Sequence, residues 1–145
     1  MTSVNLGKQH PSSYESMAKL NAVVAAAMEA AGLDSRVAEL VKIRVSQING
    51  CAFCLRMHTR DALAHGETTD RLAVVAAWWE SQYFSDQERA ALALAEQITT
   101  LAAPERRTWD DGSLTDEQVS AISWLAIVMN AWNRVAITSH YRVAP

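Results

Sequence analysis

Apolar residues return at helical spacing along most of the chain. From Tyr14 to Ala31 the positions Met17, Leu20, Val23, Val24, Ala27 and Met28 recur three or four residues apart, with Ser13 placed to cap the start and Gly32 just beyond the end. The residues up to about Ser13 show no such period and read as a loose N-terminal arm. Asp34 can cap a second helix reaching about Asn49, with Val37, Leu40, Val41, Val45 and Ile48 as its buried stripe. Asn49-Gly50 breaks it, because both residues tolerate left-handed backbone angles. A third helix opens at the cysteines and runs to His65, with Gly66 as its stop. Thr68 or Thr69 caps a fourth to about Gln82, and the capping box Ser85 to Glu88 starts a fifth to about Leu101. Residues 102–112, with Pro104, Asp110 and Asp111, read as a loop with room for one short helical turn. A second capping box, Thr115 to Gln118, starts a last helix through Val119, Ile122, Leu125, Ile127 and Met129 to about His140. No alternating run of four or more residues, tandem repeat or low-complexity tract remains. The pattern predicts an all-α fold of about six helices, with residues 1–145 as one domain.

Composition agrees with this reading. Half of the 145 residues are apolar, and only five are glycine and three proline, a balance that suits a compact helical protein. A net charge of −3 leaves no basic footprint for nucleic acid or an anionic membrane. No apolar run approaches about 18 residues, and residues 1–11 lack the apolar core of a secretion signal, so the expected location is cytoplasmic. Trp78 and Trp79 are adjacent and would lie about 100° apart on a helix, which one core-facing stripe cannot easily bury. That points to a contact between subunits, the competing reading being one half-exposed ring.

The two cysteines, Cys51 and Cys54, change the picture most. Cytoplasmic thiols are kept reduced, so a C-x-x-C pair there points to redox or metal chemistry rather than a structural staple. On a helix Cys51, Cys54 and His58 share one side, and the two cysteine α-carbons would stand roughly 5–6 Å apart, within disulfide reach. The helix dipole favours a thiolate at Cys51. His58 is one turn from Cys54 but roughly 10 Å along the axis from Cys51, so it can act as base to Cys54 only. A base in contact removes the proton outright where a dipole only biases the equilibrium. Cys54 is therefore the expected attacking thiolate and Cys51 its resolving partner. Glu39, an acidic residue in the mostly apolar helix leading into the site, is the candidate to orient His58; a solvated pair with Arg36 or Lys42 is its alternative.

Glu39, eleven residues, Cys51-Ala-Phe-Cys54, three residues and His58 form an E-x11-C-x2-C-x3-H pattern that resembles the alkylhydroperoxidase AhpD-like branch of the carboxymuconolactone decarboxylase family. Asn49-Gly50-Cys51, Met57-His58-Thr59 and Trp132-Asn133-Arg134 are similar to that family as well, and the likeness spans about residues 14 to 140. It implies an AhpD-like helical bundle assembled as a dimer-based homo-oligomer, a trimer or a hexamer. It also implies thiol-dependent reduction of organic hydroperoxides, with Cys54 peroxidatic, Cys51 resolving, His58 the base and Glu39 the carboxylate of a proton relay. An external dithiol or lipoyl group would regenerate the pair, and neither an organic cofactor nor a metal is required. One departure stands out: the best-known members carry a second histidine immediately before the peroxidatic cysteine, and here that position is Phe53. Its ring can neither relay a proton nor stabilise a thiolate.

Four rivals remain, of which decarboxylation of a lactone, the activity that named the wider family, belongs to a branch that lacks this cysteine pair. A zinc site on Cys51, Cys54 and His58 needs ligands spread over two helical turns to converge on one tetrahedral ion. A general thiol-disulfide oxidoreductase fits the same cysteines, and Phe53 favours it. A non-enzymatic helical interaction module would use the cysteines as small core residues. His65 is placed to end the third helix, His10 lies in the arm, and Met57 reads as core or interface filler. His140 and Arg142 could line the site or a subunit contact. Arg44 reads as a surface charge, with support of a thiolate as its alternative.

Overall fold

The computed structural model describes residues 3–101 and 110–145. Those residues form α1 (Leu6–Gln9), α2 (Pro11–Ala30), α3 (Ser35–Asn49), α4 (Ala52–Ala64), α5 (Thr69–Ala73), a 3-10 segment (Val75–Glu80), α6 (Asp86–Thr100) and α7 (Asp116–Thr138). No strand occurs among the described residues, so the fold is all-α as expected. The loop expected over 102–112 lies outside the described residues as far as position 109.

Helix starts follow the capping chemistry of the sequence. Asp34 accepts the Arg36 backbone N–H at 2.7 Å, and both capping boxes close, Ser85 with Glu88 and Thr115 with Gln118. Gly50 ends α3 at φ +69°, a left-handed angle that turns the chain straight into α4 with Cys51 as its N-cap.

Two expectations need correction. The N-terminal arm is not loose: α1 forms, and α2 starts at Pro11 rather than Tyr14, with Pro at the first helical position where its missing N–H is harmless. Contacts distant in sequence hold this part, as the Leu6 backbone N–H donates to Ser139 Oγ at 3.0 Å and Tyr14 packs edge-on against Trp132. Second, the helix expected from Thr68 to about Gln82 breaks into α5 and the 3-10 segment, with Ala77 at φ −127°, ψ 35°. The break separates the two tryptophans. Trp78 is buried and donates its indole N–H to Glu96 Oε1 at 2.9 Å, while Trp79 stays 37% exposed. Arg89 holds the broken turn by donating to the carbonyls of Trp78, Trp79 and Ser81. One ring of the adjacent pair is therefore buried and the other partly exposed.

At the centre lies α3, packed against α4, α6 and α7. It is covered on more than one side, so its burial extends past the usual stripe to include Glu39 and Ser46. One core cluster joins Val37, Val41 and Val45 to Ile122, Ala126 and Met129 of α7; a second joins Leu40 and Ile43 to Leu92, Trp78 and Phe84. The run of small residues Ala90, Ala91, Ala93 and Ala95 gives α6 a buried surface suited to close packing. At the C-terminal end of α3, Asn133 of α7 is fully buried; it accepts from Asn49 Nδ2 at 2.9 Å and donates to Ser46 Oγ at 3.0 Å. This amide pins the turn that delivers Cys51.

Deleting that amide leaves Asn49 and Ser46 short of a partner in a dry interior. Asn133→Ala is expected to lower unfolding free energy by about 1–3 kcal/mol, read from the urea midpoint at unchanged slope.

Candidate active site

The site is assembled on the α3–α4 corner. Cys51 and Cys54 are joined as a disulfide with α-carbons 5.4 Å apart, and both side chains are buried. Cys51 caps α4, its Sγ accepting the Cys54 backbone N–H at 3.3 Å. Cys54 is in the first turn, and His58 follows one turn later on the same face.

Glu39 reaches this corner from α3. Its Oε2 lies 3.2 Å from His58 Nδ1, and its Oε1 accepts from Lys42 Nζ at 2.9 Å. Glu39 thus meets both His58 and Lys42, one on each oxygen, but as a buried group rather than a solvated charge, while Arg36 pairs with Asp34 instead. Burial pushes the Glu39 carboxyl upward, but the His58 hydrogen bond and the charge and hydrogen bond of Lys42 outweigh it, and the group is held below its ordinary value of 4.5. An ionised carboxylate only accepts, so the Nδ1 facing it bears a proton. The Nε2 of the same ring is buried with no hydrogen-bond partner. It lies on the face of α4 that also bears Cys54.

Asp61, on the next turn, sets its Oδ2 3.6 Å from His58 Nδ1 and is half-exposed, extending the carboxylate–imidazole pair toward solvent. Glu39, His58 and Asp61 offer donor atoms within 4.8 Å of one another. The Lys42 ammonium already neutralises that carboxylate, and a cation there would have to displace the proton on Nδ1, so the set suits proton handling better than metal ligation.

Cys54 and His58 line a cleft of about 320 Å³ whose other walls include Met57, Leu125, Met129 and Trp132, with Lys42 and Asn21 as polar residues. Sequence periodicity marks these α7 residues as core and cannot show that they line a cleft. Tyr141, beyond the end of α7, also lines it and packs edge-on against Phe53 at 5.0 Å between ring centroids. Burial, with a smaller effect of nearby Tyr14, pushes the Tyr141 phenol up, so it stays protonated near neutrality. Met57 is 40% exposed and walls the cleft rather than filling a core.

The remaining candidates lie elsewhere. Arg44 is neither a surface charge nor a support for the thiolate: its Nε pairs with buried Glu96 at 2.8 Å, on the side where Trp78 also donates. His65 caps the end of α4 and His10 the start of α2. His140 lines a second, smaller pocket together with Cys51. Among the described residues no helix is long and apolar enough to cross a membrane.

Residues 14–97 match the family model described as carboxymuconolactone decarboxylase family. The chain is 42% identical over 112 residues to the uncharacterized protein YdfG of Bacillus subtilis (strain 168), covering 73% of this chain and 75% of that protein. It is 39% identical over 64 residues to the uncharacterized protein YnjA of Escherichia coli (strain K12), covering 44% of this chain and 35% of that one. A crystal structure from Agrobacterium tumefaciens superimposes with a TM-score of 0.86 at 29% identity, over 100% of this chain and 99% of the other. That protein is described as one of unknown function for which the identity antioxidant defence protein AhpD has been suggested.

Because folding depresses the Glu39 carboxyl, its ionised form adds stability in full above about pH 4.5, and this is lost as pH falls through the lower folded value. Glu39→Gln is expected to be less stable than the native chain near neutrality, with the gap closing as pH drops below about 4.5. Urea unfolding at a series of pH values measures it.

Proposed function

The chain belongs to the carboxymuconolactone decarboxylase family, in its AhpD-like branch, and on that footing we propose that it reduces organic hydroperoxides through a Cys51–Cys54 dithiol/disulfide cycle. The observation that carries this reading is the buried Glu39–His58 pair, which leaves a partnerless Nε2 on the cleft that Cys54 lines. In the reduced state the Cys54 thiol is the donor that this nitrogen lacks. His58 Nε2 takes the proton, Glu39 stabilises the imidazolium formed, and the thiolate attacks the distal peroxide oxygen. The O–O bond breaks, the alkoxide recovers the proton from His58 as alcohol, and Cys54 is left as a sulfenic acid. Cys51 attacks that sulfur, water leaves, and the disulfide closes. An external dithiol then returns two electrons and two protons. The largely apolar walls suit a hydroperoxide with a hydrocarbon body.

A homo-oligomer is part of the same reading. Trp124 and Ile127 of α7, each close to half-exposed, support it together with the exposed ring of Trp79.

Phe53 favours a second reading, a thiol-disulfide oxidoreductase. Its ring lines the cleft beside Cys54 and adds no proton carrier there.

Consumption of cumene hydroperoxide with excess dithiothreitol separates the two. Turnover is expected in the native protein and none in Cys54→Ser, while Cys51→Ser, treated with the hydroperoxide in the absence of thiol, forms one sulfenic acid per chain and stops. A native protein that cycles with small disulfides but leaves the hydroperoxide untouched would establish the second reading instead.

A further inference from the structure

The disulfide is lined by two cavities, one for each cysteine. Cys54 lines the 320 Å³ cleft with His58, and Cys51 lines a separate pocket of about 200 Å³ with Gly50, Ile137, His140 and Val143. Phe53, Ala136 and Tyr141 belong to both linings and form the partition between them. Phe53 and Tyr141 are locked edge-on, so the wall is a packed aromatic pair rather than a loose side chain.

We propose that the small pocket is where the reductant attacks, and that its target is Cys51. This inference rests on the dithiol/disulfide cycle proposed above, but not on the hydroperoxide. A thiolate displaces one sulfur of a disulfide by approaching the other along the S–S axis from its far side, so the accessible side decides which sulfur is struck. The pocket that Cys51 lines is a route to the disulfide that does not enter the cleft. Leaving-group quality points the same way: attack at Cys51 expels Cys54 as thiolate, on the helix face where buried His58 Nε2 lacks a partner. Attack at Cys54 would instead send the thiolate reagent through apolar walls and the space a hydroperoxide needs.

The exchange balances as follows. The incoming thiolate bonds to Cys51 Sγ, the Sγ–Sγ bond breaks with its electron pair going to Cys54, and the proton shed by the first reductant thiol ends on the Cys54–His58 pair. The second thiol of the reductant then attacks the reductant's own linked sulfur. Cys51 leaves as thiolate and takes the second proton, and the reductant departs as an intramolecular disulfide. A pocket of 200 Å³ admits few atoms, so the reductant is a dithiol that is free and small or carried on a slender arm, not the face of a folded protein.

The test uses the oxidised native chain and no peroxide. It is treated briefly with the monothiol cysteamine, quenched with iodoacetamide and mapped by tandem mass spectrometry. The expected species carries cysteamine on Cys51 and the alkyl group on Cys54. The reverse arrangement, or an even mixture, overturns the proposal. Ile137→Trp, which narrows the small pocket, is expected to slow reduction by dithiothreitol about ten-fold, since exchange rates follow access to the struck sulfur. A folded variant reduced at the native rate also overturns it. If that variant fails to fold, the adduct map on the native chain still decides. Because no hydroperoxide is present, a protein that proved unable to reduce peroxides would leave this result intact.

Discussion

A carboxylate in a helical core is tolerated only where both of its oxygens are engaged, and the site depends on how Glu39 meets that condition. α3 is wrapped by three other helices, so an acidic residue on its inner side cannot reach bulk water. One oxygen takes the Lys42 ammonium and the other the His58 imidazole. The proton on His58 Nδ1 and the ionised state of Glu39 both follow from that arrangement. The requirement that stabilises the core also orients the imidazole.

The same helix carries a second buried ion pair, Arg44 with Glu96, to which the Trp78 indole also donates. Its partners lie on α6 and the 3-10 segment, whereas those of Glu39 face α4, so α3 separates a pair without an evident chemical role from a pair beside a cysteine. The Asn49–Asn133–Ser46 bonds then fix the end of α3 against α7, and the left-handed Gly50 turns the chain into α4. The position of Cys51 is thereby tied to two long helices. A shift of one residue in the turn would carry Cys54 and His58 together out of register with Glu39 on α3.

Phe53 gives the surroundings of the disulfide their character. A histidine there would bring a second proton carrier beside Cys54; the phenyl ring instead packs on Tyr141, walls the cleft and separates it from the pocket beside Cys51. Glu39 and His58 are then the titratable pair beside Cys54, with half-exposed Asp61 at their solvent side.

Much of this could be read from the residues in order. The helical periods, the caps at Asp34, Ser85 and Thr115, the break at Asn49-Gly50, and Cys51, Cys54 and His58 on one face are set by interactions within one or two turns, which spacing reports directly. What depends on distant partners could not be read that way. Leu6 and Tyr14 order the N-terminal segment only because Ser139 and Trp132 are there to meet them, and Trp78 meets Glu96 from a segment broken at Ala77. Arg44 gave no sign of its partner 52 residues away. The sequence determined which residues could do the chemistry. The tertiary structure decided that α3 would bury Glu39 against His58 and that α7 and Tyr141 would enclose Cys54, because burial is a property of how helices pack and not of any one of them.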